Sequence, residues 1–263
     1  MLLALYLYLG LFAAMSVAWA VARQPGRSGM MDAIWSLATG AAGAAVALVP
    51  ADGAEPGRQA LVAGLIAAWG ARLGLHILRR ARRGHDDPRY LELRRQWGRH
   101  PDLRLFLFAQ VQALAALVLL VAPLAAARNP APPGRWSDWA GAAVLVVAIL
   151  GEAVADRQLA AFRAAAGAGP GVCEQGLWRL SRHPNYFFEW LGWLAWPLIA
   201  IGPDGDAGWR WLALAGPALM YLLLVHVSGI PPLEAHMLRS RGQGFADSQR
   251  RIRAFWPIPK RVG

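Results

Sequence analysis

Seven predominantly apolar stretches, separated by polar connections, run along the chain at roughly 1–22, 30–50, 59–78, 105–127, 139–156, 185–202 and 209–228. Each is close to the roughly 20 residues an α-helix needs to cross a bilayer. The pattern predicts an all-α integral membrane protein: one membrane-embedded domain over residues 1–263 with seven transmembrane helices. The first stretch has no charged region ahead of it and no A-x-A-like site followed by a soluble domain. It therefore reads as a retained span rather than a signal peptide. No internal repeat is evident.

The connections orient these spans. Twenty-two of the 27 basic residues lie in the first, third and fifth connections and in the C-terminal tail. The second, fourth and sixth hold only Arg58, Arg128, Arg135 and Arg210. Basic excess marks cytoplasmic loops, so the N-terminus is expected outside and the C-terminus in the cytoplasm. The third connection, Arg79–Arg104, is the most basic, yet it intersperses Asp86, Asp87, Glu92 and Asp102 with Tyr90 and Trp97. That mixture suits a folded anion-binding surface as well as contact with anionic lipid. The fifth connection and the tail lie on the same side, so the three can form one site for an anionic ligand.

Composition narrows the class. Hydrophobic residues make up 56% of the chain and charged residues 16%, against about 25% charged in soluble domains. A net charge of +11 raises the question of nucleic acid; no nucleic-acid-binding motif is visible, and none is expected as a partner. The single cysteine, Cys173, excludes a disulfide framework and a cysteine-based zinc site. The six histidines form no HExxH, and no metal is expected.

Ionisable residues inside spans are costly and usually functional or internally paired. Asp32, Arg72, His76, Glu152, Asp156, Glu189, His226 and Glu234 fall in or at the ends of the apolar stretches. Arg72 and His76 are one turn apart, as are Glu152 and Asp156, so each pair shares a helix face. Pairing between helices, such as Arg72 with a carboxylate, and a polar site are both open to them. The sharpest motif is Gly176–Trp190, GLWRLSRHPNYFFEW. Pro184 suits the first turn of a helix, and Ser181 or His183 can cap its start. The N–H groups there form a site for phosphate, with Arg179 and Arg182 beside it to supply charge-assisted bonds. Asn185 and Glu189, one turn apart, can bond an amide or hydroxyl ligand.

Three elements together resemble the bacterial branch of the steroid 5α-reductase family: R-H-P-N-Y-F-x-E-W (Arg182–Trp190), E-x-x-x-D-x-Q-L-x-x-F (Glu152–Phe162), and the tail pair S-G-I-P-P-L-E and F-x-P-x-P. The resemblance covers nearly the whole chain. It implies a multi-pass enzyme of the bacterial inner membrane that uses NADPH to saturate a carbon–carbon double bond conjugated to a ketone, in a 3-oxo-Δ4 steroid or similar enone lipid. It also implies that Asn185 and Glu189 face the nicotinamide, with Asp156 and Arg163 beside them and Arg72 and Arg83 near the phosphates; His183 and Tyr186 complete the cofactor set. The family's Gln-Glu pair on the second span is replaced here by Asp32 alone, and two tyrosines of the third span by Trp69 and His76. The acid at the substrate carbonyl is then Asp32, His76 or Tyr186, while Asp32 can equally serve as a helix cap. The R-H-P-x-Y core also resembles isoprenylcysteine carboxyl methyltransferase-like proteins. The alternative function is therefore methyl transfer from S-adenosylmethionine.

Overall fold

A computed structural model describes residues 2–82, 86–166, 171–202 and 208–260. Among these the chain is helical and contains no strand. In order, the α-helices are α1 (Leu2–Ala22), α2 (Met30–Leu48), α3 (Pro56–Ala81), α4 (Pro88–Trp97), α5 (Pro101–Leu119), α6 (Val121–Ala127), α7 (Trp136–Ala166), α8 (Pro184–Trp193), α9 (Ala195–Ile201), α10 (Ala215–Tyr221), α11 (Ile230–Arg241) and α12 (Gln243–Arg251). A 3₁₀ segment (Gly208–Leu214) precedes α10, and a π-helical segment (Leu222–Val227) follows it. Among the described residues six helical stretches are long and apolar enough to cross a membrane: 2–22, 30–48, 56–81, 101–127, 136–165 and 208–241. The protein is an integral membrane protein of several spans.

Two of the expected spans differ in construction. The stretch 185–202 is two short helices, α8 and α9, meeting at Leu194, and 209–228 joins 3₁₀, α and π segments. Proline accounts for the breaks. Pro123, Pro197 and Pro217 each stand third in their helical segment, three residues after Leu120, Leu194 and Leu214. A proline cannot donate to the carbonyl four residues earlier and its ring crowds that carbonyl, so each helix is interrupted one turn upstream. Helices α3 and α7, in contrast, run beyond the expected 59–78 and 139–156. Arg79 and Arg80 end the apolar run but are good helix formers, so charge limits the span and not the helix.

Small residues set the central crossing. A Cβ on Gly70 would lie 2.7 Å from the Cα of Gly40, and one on Gly74 would lie 2.5 Å from Leu37. Close approach through small residues is how helices associate in lipid, where van der Waals packing replaces the hydrophobic drive. It holds α2 flush against α3, which brings Asp32, Trp35 and Ser36 to the same depth region as Leu73, His76 and Ile77 in one cavity wall. The C-terminal F-x-P-x-P element folds back onto α8. Phe255 and Trp256 pack against Trp190, with ring centroids 5.8 and 5.2 Å apart, and the backbone N–H of Arg182 donates to the Arg253 carbonyl at 2.9 Å.

The end of the bundle remote from this tail is locked by a buried ion pair. Arg58, 1% exposed, donates from Nε to Asp138 Oδ1 at 3.1 Å and from Nη2 to Asp138 Oδ2 at 2.9 Å. It also donates to the carbonyls of Asn129 (2.7 Å), Pro132 (2.9 Å) and Ala131. Asn129 Nδ2 in turn donates to the Ile199 carbonyl at 2.7 Å, which ties in α9.

Candidate functional site

One cavity of about 670 Å³ opens among α2, α3, α5, α7, α8, the π segment and α11. Its volume is within the range of small-molecule sites. Of the residues singled out from sequence, Asp32, His76, Asp156, Arg163, Arg182, His183, Asn185, Tyr186 and Glu189 all line it. Arg72 stands behind the lining, Arg179 is exposed and off the cavity, and Arg83 lies outside the described residues.

The inner end is acidic. Arg72 Nη1 lies 2.5 Å from Glu152 Oε1, and its Nη2 lies 2.6 Å from Asp156 Oδ2. His76 Nε2 is 3.4 Å from the same Asp156 oxygen, and Asn185 Nδ2 donates to Asp156 Oδ1 at 3.5 Å. The one-turn spacings on α3 and α7 thus face each other. Glu189 takes a different set: Trp69 Nε1 donates to its two oxygens at 3.0 and 3.1 Å, and Trp193 Nε1 donates to Oε1 at 3.1 Å. Two carboxylates therefore hold the one guanidinium, while Glu189 is held by two indoles. Arg72 is held by Glu152 and Asp156, which makes it an orienting cation for those acids rather than the phosphate contact expected from the resemblance.

The mouth is built from the third connection. Asp86 accepts from the backbone N–H groups of Gly26 (3.1 Å) and Ser28 (3.0 Å), which pins the first connection to the third. Asp87 caps α4 by accepting from the Arg89 N–H at 3.0 Å and also pairs with Arg80 at 2.7 Å. Burial would raise the Asp87 pKa, but Arg89 and Arg80 outweigh it and hold this carboxyl well below its ordinary range. Arg89 bridges Asp87 and Asp32, and Tyr90 donates its hydroxyl to Asp32 Oδ1 at 2.7 Å. Burial and the neighbouring Asp32 push the Tyr90 hydroxyl well above its ordinary value, so it keeps its proton. Asp32 is consequently an acceptor on both oxygens. It makes no capping bond to α2. The expected cap of α2 is thus corrected: Asp32 pairs instead with Arg89, a residue the apolar pattern placed in a loop.

Arg182 and His183 are corrected likewise. The guanidinium of Arg182 is consumed by Glu234, at 2.8 Å from Nε and 3.0 Å from Nη2, and by the Ile252 carbonyl. His183 Nε2 lies 2.9 Å from Glu234 Oε1. Burial pushes the His183 pKa below its ordinary value. The two residues brace the start of α8 against α11 and the tail instead of waiting for phosphate; the signal was Glu234 in the P-P-L-E motif.

Two arginines at the mouth are different. Arg163 and Arg241 line the cavity, and neither has a carboxylate within ion-pair distance among the described residues. Arg241 donates to the Gly171 carbonyl beside the buried Cys173, whose thiol burial pushes up. Arg80, Asp86, Asp87, Arg89, Glu152 and Arg241 are further charged residues of the lining. The Tyr186 hydroxyl makes no hydrogen bond among the described residues, while its ring stacks on His183 at 5.5 Å and 13°.

Residues 18–252 match the model of a family described as "Protein of unknown function (DUF1295)". No curated protein and no solved structure matches the chain. The family match takes in the last five residues of α1 and every helix after it, with the acidic cluster, the mouth and the α8–α11 brace, and on it this chain belongs to the DUF1295 family.

Proposed function

We propose that this protein is a membrane reductase that uses NADPH to saturate a carbon–carbon double bond conjugated to a ketone in a steroid or similar enone lipid. The observation that carries the reading is a single cavity with carboxylates and an amide at one end, arginines with no carboxylate partner among the described residues at the other, and an apolar chamber beside them. The donor set fits the cofactor. Arg163 and Arg241, with no carboxylate partner among the described residues, suit its phosphates, and Asn185 with Asp156 and Glu189 suits a carboxamide. When bound, NADPH supplies a hydride. The remaining work falls to side chains. The Tyr186 hydroxyl, in the cavity lining, holds the proton that the substrate's carbonyl oxygen receives. Trp35, Phe108, Val111 and Leu224 line the chamber and exclude water from it.

The topology belongs to the same proposal. α8 and α9 together make a sixth crossing: they span Pro184–Ile201, and α9 reaches the Arg58 end, where Arg210 donates to the Ala200 carbonyl at 2.9 Å. Seven crossings then leave the basic cavity mouth in the cytoplasm and the Arg58 lock outside. Exposed Trp136, Trp139, Trp209 and Trp211 near that lock suit a membrane–water interface. On the resemblance, the membrane is the bacterial inner membrane. Thiol labelling in a Cys173→Ser background is expected to reach Asp52→Cys from outside the cell and Gln243→Cys only after permeabilisation. Both labelling from one side would sink the seven-span topology.

Methyl transfer from S-adenosylmethionine is the competing reading, favoured by one observation, the surplus of carboxylates around Arg72, which suits a sulfonium. Equilibrium binding to the detergent-purified protein separates the two. NADPH is expected to bind and S-adenosylmethionine not. Arg163→Ala or Arg241→Ala is expected to weaken NADPH by about 1.5–3 kcal/mol, the range for bonds to charged groups. Binding of S-adenosylmethionine without NADPH would overturn the reductase reading.

A further inference from the structure

A chain of hydrogen bonds ends in the wall of the apolar chamber. Arg89 donates to one oxygen of Asp32, and the Tyr90 hydroxyl donates to the other at 2.7 Å. A tyrosine hydroxyl has one proton, and Asp32 takes it. Toward Gln112, 3.4 Å away, the tyrosine oxygen can therefore only accept, and the amide must present its NH₂. The opposite orientation of the amide would set two acceptors against each other with no proton between. That single proton fixes which way the amide points, and it leaves Gln112 Oε1 buried with no partner among the described residues.

An unpaired buried carbonyl is costly unless something supplies a donor. Gln112 sits on α5, whose backbone there is fixed by Trp35 Nε1 donating to the Gln112 carbonyl at 3.0 Å. It lines the main cavity together with Phe108, Val111 and Leu224. Val111 and Val227 both line this cavity and are 58% and 48% exposed, so the chamber reaches the lipid-facing surface of the bundle. Gln112 also borders a void of about 30 Å³ beside Asp32 and Ser228, the size of one water.

We propose that Gln112 is the accepting end of a subsite that selects an apolar, lipid-borne ligand carrying a hydroxyl. The polarity of the subsite is imposed by Arg89 through Asp32 and Tyr90, so Tyr90 is a positioning residue for it. The inference deepens the reductase reading, on which it rests for the class of substrate: besides the enone carbonyl, the substrate has a hydrogen-bond donor. A ketone at that position would put its oxygen against another acceptor.

The test compares two steroids that share the same conjugated ketone and differ at one position. Testosterone has a hydroxyl there and androstenedione a ketone. Equilibrium dialysis with the detergent-purified full chain measures the affinity for each, independent of turnover. Testosterone is expected to bind about ten-fold more tightly, from the cost of leaving one buried polar group unpaired. Gln112→Met, which keeps the length of the side chain, is expected to make the two affinities equal. Tyr90→Phe leaves Gln112 in place but frees its amide to turn and offer NH₂, so the preference is expected to collapse there too. A thermal unfolding midpoint for each variant guards against misfolding, and the comparison between the two steroids within unaltered protein needs no variant at all. Equal affinities in the unaltered chain, binding of neither steroid, or a preference that survives Gln112→Met overturns the subsite; the first of these is also the result if an ordered water alone satisfies Oε1. An intact preference with no reduction of either steroid counts against the reductase reading and leaves the subsite standing, while reduction without preference does the reverse.

Discussion

Arg58→Leu is expected to destabilise the folded protein by about 3–5 kcal/mol, the range for removing one partner of a buried ion pair. The substitution strands Asp138, 1% exposed, opposite an apolar side chain. It also withdraws the donor from three carbonyls of the 129–132 turn. Among the described residues Asp138 would keep the N–H groups of Gly134 and Arg135, at 2.9 and 3.2 Å. Unfolding in detergent, followed by circular dichroism, measures the loss. Replacing both partners, Arg58→Leu with Asp138→Leu, is expected to recover part of it, because the uncompensated charge disappears while the three carbonyls still lack a donor. A loss below about 1 kcal/mol in the single variant would mean that the lock is superficial.

Arg58 also illustrates what charge counting along a sequence conveys. It was one of four basic residues on the poorly charged side, and that count carries the orientation argument. Its partner Asp138 stands 80 residues away and became its partner only because α3 and α7 begin at the same end of the bundle. Periodicity identified the helices because lipid demands long apolar runs. It could not identify their breaks, since the runs remain apolar across Leu120, Leu194 and Leu214, and only the proline three residues on signals the interruption.

The inner end of the site was the most legible part. Arg72 with His76 and Glu152 with Asp156 announce themselves by charge in an apolar run and by one-turn spacing, and they meet face to face. The mouth was opaque for the opposite reason. In a connection with nine basic residues, nothing local distinguishes Arg89 and Arg80 from their neighbours. Their roles come from the cap of α4 by Asp87 and from α11 packing across α4, where Arg239 meets the buried Glu92. Gln112 escaped because uncharged amides were not counted among the costly intramembrane groups, although an unpaired amide oxygen in an apolar wall is costly too. Arg182 misled because helix-terminus reasoning locates N–H groups well but says nothing of where a neighbouring long side chain finds its own partner.

Tyr186→Phe is the variant expected to affect chemistry most, on the proposed reductase reading. Phenylalanine preserves the ring stacked on His183 at 5.5 Å and removes only the hydroxyl. The start of α8 should stay braced, since its bonds run through Arg182, His183 and Glu234 and not through Tyr186. NADPH affinity is therefore expected within about two-fold of the unaltered protein. Turnover of a 3-oxo-Δ4 steroid is expected to fall about 10²–10⁴-fold, the contribution typical of a positioned general acid. Asp32→Asn supplies the contrast. It weakens the hold on Arg89, which still has Asp87 at 3.0 Å, so its main effect is expected on stability and on the order of the mouth, with a smaller loss of turnover than Tyr186→Phe. Steady-state rates with nucleotide binding measured on the same preparations read both. Full turnover in Tyr186→Phe would remove this hydroxyl as the proton source and leave Asp32 and His76, the latter 39% exposed beside Asp156, of the three acids considered, to be tested by Asp32→Asn and His76→Phe.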